Sequence, residues 1–248
     1  MWFFSMVKYG YKSFYNKLVM KKINLNQVTV VIPTYNSEKT IESTLNSIYK
    51  YFNKIIIVDA DSSDLTLEIS KKYKIKIIKS IKGRGPQLGL GAENANTDWI
   101  FFLHSDSIIN KNNIIDINKF ITNTLNKNKA ASFKIKFNTN NIWSNLLSIL
   151  VNIRSKYLKL PYGDQGLLIS KSFYKNIGGY KNIPIMEDVE IIRAIGFRNI
   201  KILNSYIITD AARFENQGWI YRPMINLFCL TLYFLGFNIN NINKIYKK

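Results

Sequence analysis

One cysteine, Cys229, and one histidine, His104, are all that the 248 residues contain of either type. A lone cysteine cannot close an internal disulfide, which excludes a small scaffold stapled by several. Zinc sites built from clustered Cys and His are excluded with it, so any divalent metal must sit on carboxylates. Long apolar runs are missing too: nothing reaches the roughly 18 to 20 unbroken apolar residues of a bilayer-spanning helix. The opening MWFFSMVKYGYKSFYNKLVMKK has no charged region ahead of its apolar residues and no A-x-A-like site, so it does not read as a cleaved signal. Arginine is scarce. Of 35 basic residues only 6 are Arg, whereas planar recognition of phosphates and bases favours that side chain. The net charge of +19 therefore has two readings: an anionic partner (nucleic acid, phosphorylated substrate or membrane surface), or a compositional bias toward Lys.

What is present fits one ordinary domain. Hydrophobic residues make up 47% and aromatics 14%, too many for a wholly disordered chain. From Gln27 onward strands and helices alternate. VTVVIP (Val28–Pro33) is a β-branched block closed by proline, as expected of a buried parallel strand. Ile41, Leu45, Ile48 and Phe52 then fall on one helical face, with Ser37 as the expected N-cap. KIIIVDA (Lys54–Ala60) is the second strand, followed by a helix over 63–72 that opens on Asp64. KIKIIKS is the third strand. A glycine-rich loop, KGRGPQLGLGA, precedes another helix to about Asn96, and WIFFLHSDS is the fourth strand. The stretch 110–145 is rich in Asn and Lys and carries a weaker pattern, with ASFKIKF (Ala131–Phe137) as its strand. GDQGLLIS is a further strand, and EDVEIIRAI begins a helix. This rhythm predicts an α/β fold with βαβ crossovers and a mostly parallel sheet. Ligands bind such sheets at the carboxyl ends of the strands, where Asp59, Asp61 and Asp106 stand.

Three motifs could carry chemistry. KGRGPQLGLG has neither the G-K-[ST] of a Walker A loop nor G-x-G-x-x-G spacing. It leaves Arg84 at a helix start, suited to an anion, or a plain glycine turn with one surface Arg. His104 and Asp106 share a face if the strand persists that far, and together could hold a divalent cation; alone such a triplet is a weak signal. Glu187 and Asp188 open a helix, either as dipole compensation or as a general base.

In this order the pieces resemble the family-2 glycosyltransferases of the Rossmann-like nucleotide-sugar (GT-A type) fold. VVIPTYNSEKTIESTLNSI resembles the opening strand and helix, IIIVDADSSDLT the V-D-x-x-S-x-D segment, FLHSDS the D-x-D slot and MEDVEI the acceptor-side E-D. More narrowly, GRGPQLGLGA, GDQGLLISKSFYKNIGGY and IPIMEDVE resemble the arsenosugar-biosynthesis-type subgroup. The likeness runs from about Gln27 to Gly236. It implies one catalytic domain over 27–218, preceded by an aromatic and basic extension (1–26) and followed by an apolar helix and basic tail (219–248).

The resemblance also implies roles. Pro33, Thr34 and Tyr35 line the nucleotide pocket, Asp59 meets the base and Arg84 lies near the donor phosphates. Asp106, with His104 in the place of the first D, holds a divalent cation (Mn2+ or Mg2+). Asp188 is the catalytic base with Glu187 in support, and Gly163, Asp164 and Gln165 shape the acceptor side. ARFENQG is similar to an Arg-rich subgroup segment, which leaves Arg213 facing phosphate. The implied reaction is inverting transfer from a nucleoside-diphosphate sugar, a UDP-sugar foremost, to a hydroxyl acceptor. Departures from the pattern are DADSSD, in which Asp61 is out of register, and Gly89, where the subgroup carries Asn. A nucleotidyltransferase, a basic nucleic-acid-binding module and an inactive family member are the competing readings. The run MINLFCLTLYFLGF after Pro223 is either a helix packed on the domain or an interfacial helix. In either case the enzyme is expected in the cytoplasm; in the second it is also peripheral at the inner face of an anionic membrane, with a lipid-linked acceptor.

Overall fold

The computed structural model describes residue 23 and residues 25–247, so the extension expected over 1–26 lies almost wholly outside the described residues. Val28–Thr34 (β1) is buried at every position. Its period of two divides it between two cores. Val28, Val30 and Ile32 enter one core with Ile41, Leu45 and Ile48, while Val31 enters the other with Leu88 and Ala92. A strand covered on both faces has no solvent side to mark with polar residues, which is why VTVVIP reads as an unbroken run.

The next elements are α1 (Ile41–Ile48), β2 (Lys54–Asp59), α2 (Thr66–Lys71), β3 (Lys76–Lys79), α3 (Arg84–Asn94) and β4 (Trp99–Phe102). Then come β5 (Ser107–Ile108), α4 (Lys111–Thr122), β6 (Ala130–Phe137) and α5 (Ile142–Tyr157). A 3-10 turn at Gly163–Gln165 leads into β7 (Leu167–Ser170) and α6 (Lys171–Asn176), and the chain finishes with α7 (Glu187–Ile195), β8 (Ile200–Thr209), α8 (Ala212–Gln217), α9 (Tyr221–Phe234) and α10 (Ile239–Lys247). The eight strands form one mixed, mostly parallel sheet in the order β3-β2-β1-β4-β7-β6-β8-β5. β7 runs against both β4 and β6, and β5 runs against β8.

Three expectations need correction. The glycine-rich segment is not a loop: Gly85, Gly89 and Gly91 lie within α3. Close packing explains why glycine stands in a helix at two of these places. A Cβ on Gly91 would overlap the Val31 side chain of β1, and one on Gly85 would overlap the Lys181 carbonyl. β4 stops at Phe102, so His104 and Asp106 are not successive outward positions of a strand but lie on the turn beyond it. Finally, Thr40 rather than Ser37 precedes α1 and makes no side-chain cap bond. Ser37 instead accepts the N–H groups of Thr40 and Ile41 on its carbonyl, and its own N–H donates to Thr66 Oγ1 at 2.7 Å. That residue joins two loops at the mouth of the sheet.

α9 and α10 form a separate small apolar cluster, in which Cys229, Leu230 and Ile242 pack on Ile185, Met186 and Val189. They lie over the segment that opens α7.

Candidate active site

The first wall of the cleft is the end of β1 and β2. Asp59 is fully buried and accepts from Thr34 Oγ1 at 2.7 Å, Ser62 Oγ at 2.6 Å and the Ser62 N–H at 2.8 Å. Both of its oxygens are thus occupied inside the chain. Gln87, from α3, donates to the Thr34 and Val58 carbonyls at 2.8 and 2.7 Å, fixing the two strand ends to the helix. Asn36 completes the loop, donating its N–H to Ser62 Oγ and accepting the Ser63 N–H. Pro33 lies inside β1, whereas Tyr35 is exposed, with the Lys82 ammonium 3.5 Å from its ring centroid. Asp61 points away from this wall, toward Lys79 at 3.8 Å.

The second wall is the turn after β4. Burial pushes the His104 imidazole down to about 3, and the Arg84 charge adds to the effect, so the ring is neutral. The Asp106 carboxyl is raised, first by burial and next by Asp210. Register explains that pair. Ser107 faces Thr209 across the antiparallel β5–β8 ladder, so one step outward on each strand sets Asp106 opposite Asp210.

Glycine 163 brings the third wall close. A Cβ there would stand 2.5 Å from His104 Nε2, so only glycine lets the imidazole lie against the Gly163–Gln165 turn. Asp164 has one carboxylate oxygen, Oδ1, buried without a partner. Its carboxyl rises to about 6 through burial, opposed by Arg154 and reinforced by Asp188 and Asp106. Gln165 is fully buried and is a tie rather than a lining residue: Nε2 donates to the Phe133 carbonyl, and Oε1 accepts from Ser155 Oγ.

At the fourth wall, α7 begins after Met186, whose φ of 65° turns the chain sharply inward. Arg84 Nε meets Glu187 Oε1 at 2.8 Å. The Glu187 carboxylate raises the Arg84 guanidinium pKa further, while burial pushes the Glu187 carboxyl up against the pull of Arg84. Asp188 accepts the Gly163 N–H on Oδ2 at 3.2 Å and the Val189 N–H on Oδ1 at 2.8 Å. Tyr162, Asn226 and Tyr246 enclose the space in front of Arg84 and Asp188.

The structure therefore gathers Arg84, His104, Asp106, Gly163, Asp164, Glu187 and Asp188 around one cleft. It turns Asp59 and Gln165 inward and leaves Asp61 outside. Asp210, Asn226 and Tyr246 escaped the sequence reading. Asp210 had a signal, because YIITD is an apolar run ended by Asp just as IIIVD is. The other two lie on terminal helices whose proximity no local pattern encodes.

Among the described residues no three His, Cys, Asp or Glu side chains are gathered into a protein-only metal cage. The residues still suit a hard cation that takes further ligands from phosphate oxygens and water. Asp106 and Asp210 repel each other, Asp164 keeps an unpartnered oxygen, and His104 is neutral.

Solved structures define the class. The chain superposes on residues 1–349 of Staphylococcus aureus TarS in complex with UDP with a TM-score of 0.56 and 22% identity, covering 89% of this chain and 69% of that one. Glucosyl-3-phosphoglycerate synthase from Mycobacterium tuberculosis, in complex with Mn2+, UDP-glucose and phosphoglyceric acid, gives 0.54 and 16% over 73% of this chain and 71% of that one. The fold is the GT-A fold of nucleotide-sugar transferases. Residues 29–181 match the model of Glycosyl transferase family 2, more than half of the chain, and the protein belongs to that family. In sequence it is 35% identical over 105 residues to the S. aureus poly(ribitol-phosphate) beta-N-acetylglucosaminyltransferase TarS, which is 38% of this chain and 18% of TarS. It is 27% identical over 195 residues to the probable glycosyltransferase YdaM of Bacillus subtilis, 67% of this chain and 46% of YdaM. The chain thus spans less than half the length of these relatives. The assignment reaches the family; the arsenosugar-type likeness rests on the sequence motifs alone.

Proposed function

We propose that the protein is an inverting glycosyltransferase that moves a sugar from a nucleoside-diphosphate donor, a UDP-sugar foremost, to a hydroxyl acceptor. One juxtaposition carries this reading. The Gly163–Gln165 turn lies against His104 and donates the Gly163 N–H to Asp188, and Asp188 in turn lines one space with Arg84, so separate stretches of chain meet there. The UDP of the TarS fragment and the Mn2+ and UDP-glucose of the synthase support it from homologous folds.

In this mechanism the loop tied down by Asp59 and Thr34 meets the base, beside Pro33 and the exposed ring of Tyr35. Arg84, held by Glu187 at the start of α3, faces the diphosphate as negative charge grows on it. Asp188 takes the proton of the acceptor hydroxyl while that oxygen bonds to the anomeric carbon and the carbon–phosphate-oxygen bond breaks. Its two backbone N–H donors orient the carboxylate, and Gly163 and Asp164 border the acceptor. Gln165 holds the turn that carries them. A divalent cation, Mn2+ or Mg2+, held by Asp106 with neutral His104, would supply further positive charge to the leaving group.

Two exposed apolar stripes support a place at a membrane surface. Trp143, Leu146, Ile149, Leu150 and Ile153 recur at helical spacing along α5, and Met224, Leu227 and Phe228 do so along α9. Both helices start beside one aromatic cluster, in which Phe137 meets Phe214 and Trp219. No helix among the described residues is long and apolar enough to cross a bilayer. With a net charge of +19, the occupant of these faces is an anionic leaflet, the enzyme working from the cytoplasmic side.

Calorimetry on Asp106→Asn tests the core of the reading. Mn2+-dependent UDP binding should be lost while the thermal transition stays put. Unchanged metal-dependent binding would remove Asp106 from the donor site.

A further inference from the structure

Arg222 is the largest fully buried side chain among the described residues, at 1% exposure. Its Nη1 donates to the Tyr246 carbonyl at 2.9 Å, and the guanidinium lies 4.0 Å from the Tyr246 ring centroid. Nε and Nη2 have no partner. These two N–H groups share one edge of the guanidinium and point the same way, the fork that takes two oxygens of one anion. Arg213 also meets Tyr246, donating Nη1 to its hydroxyl at 2.7 Å, with its guanidinium 4.6 Å from the ring centroid. Neither arginine is among the ion pairs of the described residues. A buried cation without a counter-charge is costly, and a backbone carbonyl oxygen is a weak substitute for one.

One helical turn beyond Arg222, Asn226 has its Oδ1 buried and unpartnered and lines the space in front of Asp188 and Arg84. The same face of α9 thus offers an anion fork and, one turn on, a polar group beside the carboxylate assigned as base. We propose that Arg222 and Arg213 form the binding site for a phosphoryl group on the acceptor, and that Asn226 accepts from one of its hydroxyls. This rests on the donor and base assignments above. A phosphate monoester, with a charge of about −1.5 to −2 at neutral pH, matches the two guanidinium charges. Tyr246, on α10, is half-buried and lines the space in front of Asp188 and Arg84. Arg84, assigned above to the donor diphosphate, lines the same space as Asn226 and Tyr246, and its charge reaches Arg213.

Thermal shift with inorganic phosphate, read beside UDP calorimetry in Mn2+, tests the site on the full chain. Phosphate should raise the wild-type transition by a few degrees at concentrations well above its Kd. Arg222→Met should abolish that shift, and its unliganded transition should not fall, since an unpaired buried charge has been replaced by an apolar chain. Arg213→Met, at an exposed position, gives a second readout if the first variant fails to fold: its phosphate shift should fall by at least half. UDP affinity should stay within twofold in both. No shift in the wild type, or a full shift in both variants, overturns the site. A tenfold loss of UDP affinity in the variants, with phosphate and UDP competing, would assign the arginines to the donor and overturn the acceptor role. Absence of UDP binding in the wild type would instead fail the donor reading, and a phosphate shift lost in the variants would still stand.

Discussion

Asp188 is held by two N–H groups from different elements, Gly163 on the third wall and Val189 on its own helix. Asn at this place keeps one carbonyl oxygen for those donors but cannot take a proton from a hydroxyl. Asp188→Asn should therefore lower turnover by roughly two to four orders of magnitude, the usual span of a general base, with UDP affinity little changed. Steady-state transfer assays beside calorimetry would measure it, and near-normal transfer would end the assignment. Most of the acidic residues at the cleft were legible, because an Asp or Glu closing an apolar run marks a strand or helix end, though Asp210 was missed. How each one points was not. Asp59 and Asp61 are two apart in DADSSD, yet one is wholly buried under Ser62 and the other faces solvent, since Asp61 adopts φ of 62° and turns the chain over. A left-handed residue that is not glycine leaves no pattern in composition.

α3 is the element the sequence misrepresents most. Three glycines in eleven residues weaken helix propensity by about 1 kcal/mol each, so the segment reads as a loop. Tertiary contact overrides that penalty, since the missing side chains let α3 lie directly on β1 and place Arg84 against Glu187. The same helix yields a contrast of opposite sign. Gly91→Ala should lower stability by about 1 to 2 kcal/mol, because overpacking against Val31 outweighs the gain in propensity. For Gly89→Ala the nearest atom to the new Cβ is the Tyr180 carbonyl at 3.9 Å, so the propensity gain of about 1 kcal/mol should appear almost whole. Denaturant melts of the two variants decide it, and equal signs would contradict the packing. α4 and α5 were obscured for another reason. Their capping boxes are built on Asn110 with Asn113 and Asn141 with Ser144, and neither carries the Glu or Gln usual at the third position. Both are lost in an Asn-rich background.

For the whole molecule, the parallel half of the sheet was legible because its strands are apolar blocks spaced by helices. The antiparallel insertion of β7 between β4 and β6 was not, since GDQGLLIS looks like any other strand. The exposed face of α5 also went unread, most of it lying past the Asn- and Lys-rich stretch 110–145. Its consequence is measurable. The protein should float with anionic vesicles at low salt, bind less as salt screens about 1 kcal/mol per basic residue, and lose binding in Leu146→Asp and Ile149→Asp. Failure to co-float with anionic vesicles at low salt would leave the two stripes without a lipid partner.

The sheet order has a further consequence, one of timing. β6 is an eight-residue strand with both neighbours, β7 and β8, encoded after it, and β5 pairs only with β8. On a chain emerging from the ribosome, β1 to β4 can already pair among themselves once residue 102 is out. β6 has nothing to pair with until 167–170 arrive, and β5 waits for residue 208. β7 meets only Ala130 and Ala131, so Ile135 lacks its strand partner until Ile207 of β8 emerges, several seconds later at usual synthesis rates. The wall that carries Asp210 against Asp106 is consequently among the last parts to close, so a ribosome-bound chain holds the β1–β2 wall of its cleft before it holds the rest.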